Sequence, residues 1–198
     1  MTKIYSALIA LADGTEELEF AACVDILGCA GFQVFVCSVM PEKRLDCVMS
    51  RGIKITANYH ITDENVSGET FDVIIVPGGI PGAANCAASV ELVTMLKKQK
   101  ARGGWYAAIC AAPSVVFLDQ GIVQDEKMVC YEFKEYTLFS DPVRKNGNMS
   151  ESKARVLVDG KCITSVGPGS AMEFGLAIVK EIMGEEKALD IAQGMLIT

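Results

Sequence analysis

The chain has 198 residues, 51% apolar and 22% charged, a length that fits one domain and a composition that excludes intrinsic disorder. Lysine and arginine number 18 against 25 aspartates and glutamates, a net charge of −7. Such a chain repels phosphate backbones, and its longest basic cluster, Lys97-Lys98-Gln99-Lys100, is one helical turn, so no nucleic acid partner is expected.

In chain order, residues 4–11 are an unbroken apolar run closed by Asp13-Gly14, which predicts a buried strand and a turn. A helix is expected over 16–30, with acids in its first turn, where the dipole favours them, and Gly31 as its stop. Residues 33–39 read as a second buried strand, and 47–50 with 53–56 as a small hairpin around Arg51-Gly52. A third core strand over 72–76 runs into Pro77-Gly78-Gly79, where a tight turn is the plain reading. Then come a helix over 89–101, a strand over 105–109 and a helix over 113–118. Residues 155–165 read as a hairpin with Asp159-Gly160 in a type I′ turn. Two amphipathic helices, 170–183 and 185–195, flank Gly184. No repeat or low-complexity linker divides the chain, so 1–198 is read as a single domain. Apolar strands alternating with helices predict an α/β fold, a mostly parallel sheet covered on both faces. Such sheets carry their sites at the carboxyl ends of the strands.

Eight cysteines contain no C-x-x-C pair and no zinc-ligand spacing, so no metal is expected. The chain is too long and apolar to need a disulfide scaffold, and free thiols in apolar segments fit a reducing, cytoplasmic setting. The first residues are too short an apolar run for a signal peptide, and no run reaches the ~20 residues that cross a bilayer, so no membrane association is expected.

One thiol stands at a strand end. Cys110 closes the strand over 105–109, has Ala108 and Ala112 two residues to either side, and is followed by Pro113. Small residues at those positions are what a sharp strand-to-helix elbow needs, and proline suits the first helical position. A thiol there would face the positive end of a helix dipole, which favours thiolate; the alternative is a buried, inert cysteine. Glu19 caps an apolar stripe with Cys23, Ile26 and Ala30. There it would be partly desolvated, protonated and able to hydrogen-bond a thiolate, or it would simply complement the helix dipole, the reading preferred for Glu16 and Glu17. Gly78-Gly79 could present amides to an oxyanion. No phosphate-loop spacing occurs. The single histidine, His60, lies in a polar stretch and reads as a solvated loop residue outside the site.

With these residues in place, the sequence resembles the DJ-1/PfpI/ThiJ superfamily, on the branch of the parkinsonism-associated protein and bacterial YajL. The resemblance rests on Ala12-Asp-Gly-Thr-Glu-Glu-Leu-Glu19, Val76-Pro-Gly-Gly-Ile80, Ala107-Ala-Ile-Cys-Ala-Ala-Pro113 and Thr164-Ser-Val-Gly-Pro-Gly169. It implies a flavodoxin-like three-layer sandwich forming a homodimer, a reactive Cys110 and a protonated Glu19. Amides of Gly78, Gly79 and Ala111 would line an anion site, and Arg51 would arrive from the dimer partner. Tyr131 falls in the loop where several relatives carry a histidine near the cysteine, and Cys29 falls where some carry a second arginine. The residue after Cys110 is Ala111 rather than the histidine of the protease branch, which disfavours peptidase activity. The implied activity is cofactor-free conversion of glyoxal and methylglyoxal to hydroxy acids, or deglycation, in carbonyl and oxidative stress. The alternative is a non-enzymatic redox sensor or chaperone in which Cys110 oxidises to sulfinate.

Overall fold

The computed structural model describes residues 3–134 and 137–197. Its first half contains β1 (Ser6–Leu11), α1 (Glu17–Ala30), β2 (Gln33–Ser38), β3 (Asp46–Val48), β4 (Lys54–Thr56), β5 (Tyr59–His60), α2 (Glu64–Ser67), β6 (Val73–Val76), α3 (Ile80–Ala88) and α4 (Val90–Ala101). There follow β7 (Trp105–Ile109), a π-helical turn (Pro113–Leu118), α5 (Ser140–Lys145), β8 (Val156–Asp159), β9 (Cys162–Ser165), α6 (Ala171–Met183) and α7 (Glu185–Gly194).

A seven-stranded sheet runs in the order β5-β2-β1-β6-β7-β9-β8. Every pairing in it is parallel except the edge pair β8–β9. The central β1 is apolar without interruption because both its faces are covered: Ala7 through Leu11 are fully buried. Helices α1, α6 and α7 pack together as one layer, and α3, α4 and the π-helical turn associate as another. The expected mostly parallel three-layer α/β sandwich is therefore the observed one. The β3–β4 hairpin forms separately, antiparallel with Cys47 opposite Ile55. No helix among the described residues is long and apolar enough to cross a membrane.

Three local expectations change. The glycine pair after β6 is more than a turn: Gly79, with φ 85°, caps α3, and Pro81 occupies its first turn. In the β8–β9 hairpin Asp159 pairs with Cys162, so Gly160 and Lys161 form the turn, and only Gly160 has positive φ. A type I′ turn needs both central residues there; one positive φ at the first position falls on the residue without a Cβ. His60 is buried rather than solvated. Its backbone lies beside Ser38 of β2, its Nε2 is 2.8 Å from the Met40 carbonyl and its Nδ1 2.8 Å from the Thr62 hydroxyl.

Packing of α6 on α1 depends on Gly175, where an added Cβ would lie 2.8 Å from Ile26 Cδ1 and 3.2 Å from its Cβ. Gly28 in α1 has open space around it. Gly175→Val should therefore lower stability by ~1–3 kcal/mol through overpacking. Gly28→Ala should raise it by ~0.5–1 kcal/mol through helix propensity. Urea unfolding midpoints of the two variants read both signs.

Candidate active site

The parallel pairings β1–β6 and β6–β7 bring three strand ends to one edge of the sheet. Hydrogen bonds join the loops that follow: Glu16 N–H to the Gly78 carbonyl at 3.1 Å, Cys110 N–H to the Ser165 carbonyl at 2.9 Å, and Tyr131 N–H to the Cys110 carbonyl at 2.8 Å. Between β7 and the π-helical turn, Cys110 adopts φ 65°, a left-handed backbone that costs a non-glycine residue about 1–3 kcal/mol. The elbow expected from Ala108, Ala112 and Pro113 is thus present in the backbone. Its side chain, 8% exposed, reaches the wall of a cavity of about 650 Å³.

Gly78 lies so close that an added Cβ would sit 2.6 Å from Cys110 Cβ and 2.8 Å from Glu19 Oε2. Gly79 needs both its positive φ and its missing Cβ, which would collide with the Gly14 carbonyl. The two amides have separate tasks. Gly78 N–H donates to Glu19 Oε2 at 2.7 Å, so it holds the carboxyl and is not free for the anion site to which it was assigned. Gly79 and Ala111 N–H instead interact with the Cys110 sulfur.

Glu19 has no exposed surface. Its Oε1 is buried without a hydrogen bond, and the Cys110 thiol is close enough for the two side chains to act on each other. Burial pushes Glu19 up to about 8, the charge of Glu16 adding to the effect and the Gly78 amide opposing it. A carboxyl raised that far is mostly protonated at neutral pH. The thiol behaves differently from the expectation. Burial raises Cys110, ionised Glu19 would raise it further, and only the amides of Gly79 and Ala111 pull it down. Burial outweighs those two amides, and the two acids are coupled, so that ionising either one makes ionising the other harder.

Glu16 caps α1, its Oε2 accepting Glu19 N–H at 2.9 Å. Glu17 does more than complement the dipole: it accepts the Ser50 hydroxyl at 2.6 Å and Arg51 N–H at 2.5 Å. Against the upward push of burial, these bonds hold it below the usual carboxylate range. The clip draws the β3–β4 hairpin onto α1 and puts Arg51 at the cavity of its own chain, so no partner is needed to bring it there. Among the described residues Arg51 makes no ion pair. Tyr131 lines the cavity as expected, whereas His60 lies elsewhere.

Glu17, Phe133 and Phe139 were not foreseen at the site. A carboxylate two residues before Glu19 carries no local sign that it will grip a hairpin 33 residues away. A larger cavity of about 800 Å³, beside Cys130, Arg144 and Arg155, is a weaker candidate. Its arginines are already matched by Glu132 and Glu173, and burial pushes the Cys130 thiol up to about 12. No cluster of metal-ligating side chains occurs among the described residues.

A DJ-1/PfpI family model matches residues 5–181. The chain is 39% identical over 190 residues to Protein DJ-1 homolog B of Arabidopsis thaliana, covering 96% of this chain but 41% of that protein, so it spans about two fifths of that relative. It is 35% identical to Protein dj-1beta of Drosophila melanogaster, covering 97% of both. It is 37% identical to a Caenorhabditis elegans protein named glutathione-independent glyoxalase DJR-1.2, covering 92% of this chain and 91% of that one. Among solved structures, oxidised Toxoplasma gondii DJ-1 superposes with a TM-score of 0.88 at 39% identity, over 97% of this chain and 98% of the other.

The raised Glu19 carboxyl has a measurable signature. Below pH about 4.5 it is protonated both folded and unfolded, and it takes nothing from stability. Between about 4.5 and about 8 only the unfolded chain releases the proton, so the folded state loses up to ~5 kcal/mol relative to a neutral residue. Glu19→Gln should accordingly gain on the parent between pH 5 and pH 8 in denaturant midpoints. A constant difference across that range would mean Glu19 titrates normally.

Proposed function

The chain belongs to the DJ-1/PfpI family, and from that membership and the buried Cys110–Glu19 pair we propose that it is a cysteine-dependent, cofactor-free glyoxalase. Its substrates are 2-oxoaldehydes of the methylglyoxal type, and its products the corresponding 2-hydroxy acids. The observation that carries the reading is the buried Glu19 carboxyl, one oxygen of which has no hydrogen bond, interacting with the Cys110 thiol at the wall of a cavity. A carboxyl with pKa about 8 gives up and regains a proton near neutral pH, as a general acid and base must. The name of the nematode relative supports the same chemistry.

In this mechanism the reacting fraction is the one with Glu19 ionised, about a tenth of the protein at pH 7 for a carboxyl with pKa about 8; sulfur attacks the aldehyde carbon C1 as its proton passes to that carboxylate. Negative charge developing on the C1 oxygen is held by Gly79 and Ala111 N–H, and the proton on Glu19 then quenches it to a hemithioacetal. The carboxylate next removes the C1 hydrogen as a proton, its electron pair staying behind as a C1–C2 double bond. A proton is returned to C2 while the C1 hydroxyl gives up its own to the C2 oxygen, which leaves C1 as a thioester. C1 is oxidised and C2 reduced, so no outside oxidant enters. Water then cleaves the C1–S bond, releasing the hydroxy acid and restoring the thiol. Arg51 faces the second oxygen of the substrate and the product carboxylate. Deglycation of adducts would begin with the same sulfur.

A second reading, a redox sensor, is favoured by the same orphaned oxygen. Two equivalents of peroxide would convert the thiol to sulfinic acid and two waters, with Glu19 donating to the sulfinate. We also propose a homodimer, supported by Leu18 and Ile53, apolar yet 62% and 55% exposed on the elements joined by the Glu17 clip.

Cys110→Ala should abolish D-lactate formation from methylglyoxal, and Glu19→Gln should lower kcat by ~10²-fold or more. Undiminished turnover in Cys110→Ala would sink the enzyme reading, and rapid gain of two oxygens in intact mass beside negligible turnover would favour the sensor. Glu17→Gln should raise KM several-fold with little change in kcat, since it acts on the placement of Arg51.

A further inference from the structure

The cavity above Cys110 is divided by chemistry. Its polar lining is the thiol, Glu16, Ser50, Gly79 and Arg51. The remaining lining is Ile80, Pro81, Tyr131, Phe133, Phe139 and Pro168. Tyr131 and Phe139 meet edge to face, 6.5 Å between centroids at 71°, an arrangement that favours further aromatic packing. The Tyr131 ring also lies against Gly167, where an added Cβ would be 3.3 Å from it, so this wall is held in place from behind.

Size points the same way. About 650 Å³ lies in the range of cavities that enclose drug-sized ligands, and a five-heavy-atom oxoaldehyde would leave most of it to water. At the mouth Ile80 and Phe133 are 53% and 57% exposed. Two large apolar side chains held open beside a reactive thiol are positioned to cover the outer part of a substrate.

We infer that this site selects 2-oxoaldehydes carrying an apolar arm the size of a phenyl ring over methylglyoxal, with Ile80 and Phe133 as specificity-determining residues. The inference rests on the glyoxalase reading and narrows its substrate class. The carbonyl pair lies between Cys110, the Gly79 and Ala111 amides and Arg51. The arm lies among the aromatic rings, where burying it adds binding that a methyl group cannot supply.

The test compares phenylglyoxal with methylglyoxal in hydroxy acid production. In parallel, the unreactive products mandelate and lactate are titrated calorimetrically into Cys110→Ala. The expected kcat/KM ratio of phenyl to methyl substrate is at least about tenfold, falling several-fold in Phe133→Ala and in Ile80→Ala, whose side chains are exposed enough to be removed without unfolding the chain. If both substrates turn over, a ratio at or below one, or a ratio that neither variant lowers, overturns the inference and leaves the glyoxalase reading standing. If neither turns over, the glyoxalase reading fails and binding decides the rest. Mandelate held at least about tenfold more tightly than lactate supports the aryl-selective cavity, and equal affinities overturn it.

Discussion

The site depends on one carboxyl being kept out of water beside one thiol. Glu19 is buried at the start of α1, with Gly78 N–H on one oxygen and the Cys110 thiol acting on the same carboxyl. Desolvation raises each of two acids so placed. Both acids therefore tend to keep their protons near neutral pH, and the loss of one disfavours the loss of the other. This differs from a thiolate made simply by a helix end, because the charge becomes available when sulfur reacts.

That arrangement requires an unusually close approach of three loops, and the backbone supplies it. Cys110 accepts a left-handed conformation, and Gly78 and Gly79 remove the side chains that would collide with Cys110, Glu19 and Gly14. The strain at Cys110 is held by bonds from neighbouring chain segments, its N–H to Ser165 and its carbonyl from Tyr131. Other cysteines illustrate the contrast. Cys37 and Cys86 are pushed up to about 12 by burial and serve as small apolar side chains. Cys110 differs in meeting two backbone amides, a buried carboxyl and a cavity.

Much of the fold was legible because strands buried on both faces leave continuous apolar runs. Residues 4–11, 72–76 and 105–109 yielded β1, β6 and β7 within a residue or two. Helix α3 was missed because Gly78-Gly79 read as a tight turn and the next helix was expected only at 89–101. In the structure Gly79 is a cap, Pro81 needs no N–H in the first turn, and Gly82 lies against Thr15, where a Cβ would be 2.6 Å from its backbone. His60 was misread because a polar neighbourhood suggests solvent, while its ring nitrogens find Met40 and Thr62 inside the protein.

What the sequence determined alone was the α/β class, the strand ends at which chemistry could occur, and the choice of Cys110 and Glu19, since periodicity and the small-residue pattern around a nucleophile are local properties. Tertiary structure decided how those groups behave. It gave the Gly78 amide to Glu19, turned Glu17 into the clip that brings Arg51 to its own chain's cavity, and put Phe133 and Phe139 in the lining of the cavity that Cys110 reaches. It also reversed the direction expected for the Cys110 pKa. Desolvation and long-range hydrogen bonding depend on which distant segments pack together, and no window of neighbouring residues contains that information.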